Sequence, residues 1–180
     1  DIRAIARSHA HLELSEVEIL LHDTYHECRF LALAILVQRM KKLPEDSPEA
    51  RRIRRLYLSN MKYVNNWDLV DLSCGPILGP AALLDPSLLV QLSQKKDLWS
   101  QRASVITNLY LIKQGRCQTA LQLCEKFLGH PHDLMHKACG WILREVGQKE
   151  AALLHAFLDK YASTMPRTML RYSIEKLPAK

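Results

Sequence analysis

The residues best suited to chemistry begin in the stretch NNWDLVDL, residues 65–72. Positions four and seven apart overlie one another on a helix, so Trp67, Asp71 and Cys74 share one side while Leu69, Leu72 and, less well centred, Ser73 share the other. A carboxylate beside an indole face holds positive charge, because the anion and the ring quadrupole both attract a cation. The same pair also serves packing, with the tryptophan against a neighbouring helix and the aspartate capping a helix end or meeting an arginine. Taken alone, packing is the commoner use. The intervening Asp68 lies well round the helix from both and reads as structural.

A second stretch, HDLMHKACGWILREVG, carries an apolar stripe of Met135, Ala138, Cys139, Ile142 and Val146. Lys137, Trp141, Arg144 and Gln148 fall on the opposite face. A large aromatic among cations asks for a partner, which is either a ligand or a further helix packed on a second face. In KKDLWSQRASVITNLYLIK the stripe is Trp99, Ala103, Ile106 and Tyr110, with Arg102 on its flank. An arginine so placed forms a salt bridge, snorkels, or fixes a phosphate with its planar fork.

Other candidates are weaker. His130, His132 and His136 in HPHDLMH read as surface histidines, so no metal site is expected. Arg51, Arg52, Arg54 and Arg55 in RRIRRLYL form a basic cluster that reads as a solvated face contributing to the field felt by a polyanion. No glycine-rich phosphate loop, GxSxG elbow or HExxH is present, so familiar nucleotide and protease chemistries lose support.

These residues must be positioned by helices. Helical periodicity dominates the 180 residues, and no segment combines a period-two pattern with turn chemistry at both ends. Ser47, Asp85 and Thr164 each precede a proline and read as caps of helices starting at Pro48, Pro86 and Pro166. Further helices are predicted at about 15–22, 26–40, 66–74, 97–113, 117–128, 133–146 and 149–161. Roughly ten short helices with one strongly apolar face each suit a single all-α domain over 1–180, built as a HEAT-like or armadillo-like α-solenoid. An irregular helical bundle is the rival, because no repeat at a fixed period is visible.

Composition sets the outer bounds. Forty-eight per cent hydrophobic and 24% charged residues describe a folding globular chain. The net charge of +6 leans towards polyanions such as nucleic acid. Five cysteines without a CxxC pair make a disulfide framework improbable and point to a reducing, cytoplasmic setting. The longest apolar run, residues 30–37, is too short to span a bilayer, so no membrane is expected.

Four segments in order, NNWDLVDL, LWSQRASV, HKACGWILREVG and MPRTMLRYSIEKL, resemble the AlkD-like DNA alkylation repair family of HEAT-repeat DNA glycosylases, from about residue 20 to the end. The resemblance implies a concave, positively charged groove, and hydrolysis of the N-glycosidic bond of cationic alkylated purines, such as 7-methylguanine and 3-methyladenine, in double-stranded DNA. It implies no metal or cofactor, and a monomer is expected. By the same resemblance Asp71 matches the catalytic aspartate, Trp67 and Trp141 the lesion-facing tryptophans, and Arg102 a phosphate-contacting arginine. Arg144 matches a residue that lines the groove or is structural; it and Lys137 are expected to contact DNA. The family probes lesions from outside the base stack, so no deep base pocket is expected.

Two departures accompany the match. DIRAIARS reads as the end of an amino-terminal helical region that in the family adds an aromatic to the lesion site, and Asn66 stands where some members carry an aromatic. No lysine stands out as a Schiff-base nucleophile, so a lyase step is not expected. Two other readings share the fold: a non-catalytic binder of distorted DNA, and a protein-binding helical scaffold.

Overall fold

A computed structural model describes residues 2–177, which form twelve α-helices and one 3-10 turn, with no strand among the described residues. The helices are α1 (Ile2–Ser8), α2 (Leu14–Leu21), α3 (His26–Met40), α4 (Pro48–Ser59), α5 (Trp67–Leu84) and α6 (Ser87–Ser93). They continue as α7 (Leu98–Ile106), α8 (Asn108–Lys113), α9 (Gln118–Lys126), α10 (Asp133–Lys149), α11 (Ala151–Tyr161) and α12 (Arg167–Ile174). Packing runs in succession: α3 on α5, α5 on α7 and α8, those two on α10, and α10 on α12.

The central helix, α5, is longer than the sequence predicts. It continues through Pro76 and Pro80 to Leu84 instead of ending near residue 74. Each proline removes one backbone donor, which ordinarily ends a helix. Here α3, α4, α6, α7 and α8 all pack on α5, and Leu69, Val70, Cys74, Ile77, Leu78 and Ala82 are buried among them. Cys74 therefore lies inside, although helical spacing alone grouped it with Trp67 and Asp71. Tertiary burial on several sides outweighs both the propensity penalty and the two-faced pattern.

The predicted helix over 97–113 is two helices. At the break Thr107 donates its hydroxyl to the Ala103 carbonyl at 2.7 Å, and the Asn108 amide donates to the Ser104 carbonyl at 2.8 Å. Side chains returning to the preceding turn compete with the backbone ladder, which is how a helix bends at such residues. Ser47 caps α4 as expected, accepting from the Ala50 N–H at 3.2 Å. Asp85 instead closes α5 as its C-cap while accepting from the Ser87 N–H, and Pro86 is the N-cap of α6. Thr164 is not a cap either: it donates to the Tyr161 carbonyl, and Pro166 precedes α12.

The α10 stripe behaves as its spacing predicts, with Met135, Ala138, Cys139, Ile142 and Val146 all fully buried. Gly140 lies on the same helix where α12 comes closest. A Cβ there would sit 2.6 Å from the Met169 carbonyl oxygen and 2.5 Å from the Tyr172 Cβ, so only hydrogen fits. This close approach brings α12 alongside Trp141.

Candidate active site

The first turn of α5 is set by Asn66, which is extended and N-caps the helix, and by Asp68, whose carboxylate accepts from the Leu69 N–H and meets His26 Nε2 at 2.7 Å. The His26 contact ties the start of α3 to the start of α5. Asp68 is thus structural, as its position on the helix suggested, while nothing in the sequence pointed to His26. Trp67 opens the helix and is 52% exposed. One turn on, Asp71 is mostly covered.

Asp71 meets an arginine. Arg102 donates Nε to one carboxylate oxygen at 2.9 Å and Nη2 to the other at 2.8 Å, and its remaining arm reaches the Leu134 carbonyl. Arg102 is 4% exposed and forms a salt bridge with Asp71, one of the uses the sequence left open. A two-pronged fork of this kind fixes the carboxylate plane as well as its position. Each oxygen spends one lone pair on Arg102 and keeps another for a further partner. Burial pushes the Asp71 carboxyl above the ordinary carboxylate range; the hydrogen bond and charge of Arg102 pull it back, and the nearby Asp68 charge raises it.

Trp67, Asp71, Arg102, Lys137, Trp141 and Arg144 line one open cleft of about 400 Å³, together with Leu134 and Tyr172. All six residues singled out by their types and spacing therefore converge, although they come from three helices. Trp141 is turned by a hydrogen bond from its indole N–H to Glu145 at 3.1 Å. Lys137 pairs with Asp133 at 3.0 Å, and Arg144 with both Glu145 and Glu175. The cations of this cleft are thus already partnered by carboxylates. Tyr172, to which no sequence pattern pointed, enters because Gly140 lets α12 approach.

The histidines of the α9–α10 link are occupied locally. His132 accepts from the Leu134 N–H at 3.1 Å, His130 bonds Gln101 at 2.9 Å, and His136 bonds the His130 carbonyl. Together they order the segment whose Leu134 carbonyl receives Arg102. The basic run on α4 is likewise less free than it reads. Arg51 pairs with Asp46 at 3.0 Å and Arg54 is buried against the Glu45 carbonyl, leaving Arg52 and Arg55 exposed. No described helix is long and apolar enough to cross a membrane.

Chemically, the cleft brings a fixed, partly desolvated carboxylate and two indoles to one open surface. Such a site favours a centre on which positive charge develops. The sequence profile of the family described as DNA alkylation repair enzyme matches residues 1–177. A solved structure described as "Predicted DNA alkylation repair enzyme from Enterococcus faecalis" superposes with a TM-score of 0.74 at 14% identity, covering 98% of this chain and 83% of that one. No curated protein matches the chain.

Proposed function

Because this chain belongs to the DNA alkylation repair enzyme family, we propose that it is a DNA glycosylase that hydrolyses the bond joining cationic alkylated purines to deoxyribose in duplex DNA. The observation that carries this reading is the convergence of Trp67, Asp71 and Trp141 on one open cleft. Alkylation at a ring nitrogen makes the purine a cation and a good leaving group, so little general-acid help is needed. As the bond from C1′ to the purine breaks, its electron pair leaves with the base, which departs neutral, and positive charge grows on the sugar. Asp71 faces that charge through a lone pair not spent on Arg102, and the same oxygen orients and deprotonates the water that adds to C1′. The indole faces of Trp67 and Trp141 attract the cationic base and the sugar cation.

In this reading Arg102 is a positioning residue that acts through Asp71. The helices form a HEAT-like solenoid whose concave face carries the cleft, and the protein works without metal or cofactor, as a monomer. An open cleft suits recognition from outside the base stack.

A second reading has one observation in its favour. An aspartate already engaged by a buried arginine is also what a purely structural pair provides, which fits a non-catalytic binder of distorted DNA. The two part on one comparison, single-turnover incubation of a duplex carrying 7-methylguanine and of the same duplex carrying uncharged hypoxanthine. Release of the methylated base, with hypoxanthine left in place, is expected. Tight binding to both without release of either would establish the non-catalytic reading.

A further inference from the structure

We propose that Lys41 and Lys113 anchor the phosphodiester backbone of bound DNA in a groove along α5 that continues from the Asp71 cleft. The inference rests on the reading of the protein as a DNA glycosylase and adds the part of the molecule that grips the substrate.

Three observations carry it. First, the cleft itself has no free cation to offer, since Arg102, Lys137 and Arg144 are each paired with carboxylates. A side-chain cation neutralises a phosphate and releases its condensed counterion most readily when it has no protein partner to give up. Second, Asp71 lies on the shared wall of two depressions. The other is a groove of about 490 Å³ whose floor includes Leu72, Gly75, Pro76 and Pro80 from α5. A Cβ added at Gly75 would meet nothing, and the prolines carry no backbone donor, so this floor is smooth, apolar and open. A sugar edge can lie close against it.

Third, the groove is rimmed by Lys41, just past α3, and by Lys113, the last residue of α8. Both side chains are exposed, and neither makes an ion pair or hydrogen bond among the described residues. The one acid on the rim, Glu45, is held by the Tyr110 hydroxyl. Burial and Glu45 push that phenol up to about 12, so it stays protonated and keeps donating. The hydroxyl leaves the Glu45 charge in place, so the rim carries two lysines without a protein partner beside one carboxylate, and those lysines are the groups that a polyanionic strand passing over α5 would meet.

The test is the salt dependence of affinity for a fluorescent duplex carrying 7-methylguanine, measured by anisotropy. For the Lys41→Gln/Lys113→Gln double variant, the slope of log affinity against log salt is expected to be shallower than wild type by about 1.8, at about 0.9 for each phosphate no longer neutralised. The Lys95→Gln/Lys96→Gln double variant removes the same charge from exposed residues that line neither depression. Its slope is expected to match wild type. Base release at saturating protein should be unchanged in the Lys95/Lys96 control. An unchanged slope in the Lys41/Lys113 variant, or an equally shallow slope in the control, overturns the inference while leaving the glycosylase reading intact. Wild-type binding indifferent to salt overturns the DNA reading itself.

Discussion

Asp71→Asn is expected to slow single-turnover release of 7-methylguanine by about 10²–10³-fold, the usual effect of removing one preorganised electrostatic group from the transition state. Asparagine has the shape of the ionised side chain without its charge, and its amide oxygen still accepts from Arg102. Its NH2 group, however, faces the second Arg102 donor and the buried guanidinium loses its counter-charge, so the variant is expected to be less stable than wild type, and circular dichroism under the assay conditions checks that it is folded. Binding should be unchanged or slightly tighter, because a carboxylate near phosphates repels them. Base-release kinetics at saturating protein, with anisotropy on the same duplex, separate the two effects. A variant that releases base as fast as wild type removes Asp71 from the chemistry. A variant that fails only because it no longer binds would assign Asp71 to the interface instead.

The largest effect on stability is expected from Arg102→Met, which keeps most of the apolar stem and deletes the fork. Breaking a buried pair by removing one partner costs about 3–5 kcal/mol, because the remaining charge is left uncompensated. The pair is well covered, with 5% of the Arg102 side chain and 16% of Asp71 exposed, so solvent screens little of this. Its pH dependence follows from the direction of the shift. A carboxyl raised in the fold contributes stability below its unfolded value that is lost as pH rises through the folded one. Arg102 limits that loss by pulling the carboxyl down, and without it Asp71 rises further. The deficit in urea denaturation should therefore be largest at neutral pH and shrink in acid, where Asp71 is protonated in both proteins. An equal deficit at both would mean that Arg102 acts by packing alone. Arg102→Lys should recover only part of the stability, since a single ammonium cannot bridge both oxygens in the plane of the fork.

Much of the candidate site was legible because it obeys helical spacing. The interval of four between Trp67 and Asp71, and the stripe from Met135 to Val146 that leaves Lys137, Trp141 and Arg144 on the other face, are properties of single helices. The all-α class was legible for the same reason. What joins the helices was not. Asp71 and Arg102 are 31 positions apart, and local pattern left open whether each was buried, paired or free. His26 meeting Asp68, and Tyr172 admitted by Gly140, are likewise products of packing between distant elements.

Two local expectations failed where tertiary structure won. The helix is predicted from sequence to end near residue 74, but burial from five neighbouring helices carries α5 on to Leu84. The apolar run across 97–113 signalled continuity, but Thr107 and Asn108 turn their side chains back on the preceding turn and divide it. Both differences matter for function: the continuation of α5 builds the groove floor, and the break creates α8, which carries Tyr110 and Lys113.

The most direct test of the account is the pH dependence of single-turnover 7-methylguanine release by the wild-type protein, corrected for spontaneous loss of the base. In the proposed mechanism the carboxylate form of Asp71 is the active one, and burial raises its protonation range. Release should be weak in acid and climb with pH along a limb displaced above the ordinary carboxylate range. The limb should vanish in the residual activity of Asp71→Asn. A rate that does not change across that range, or no release above the spontaneous rate at any pH, would contradict it.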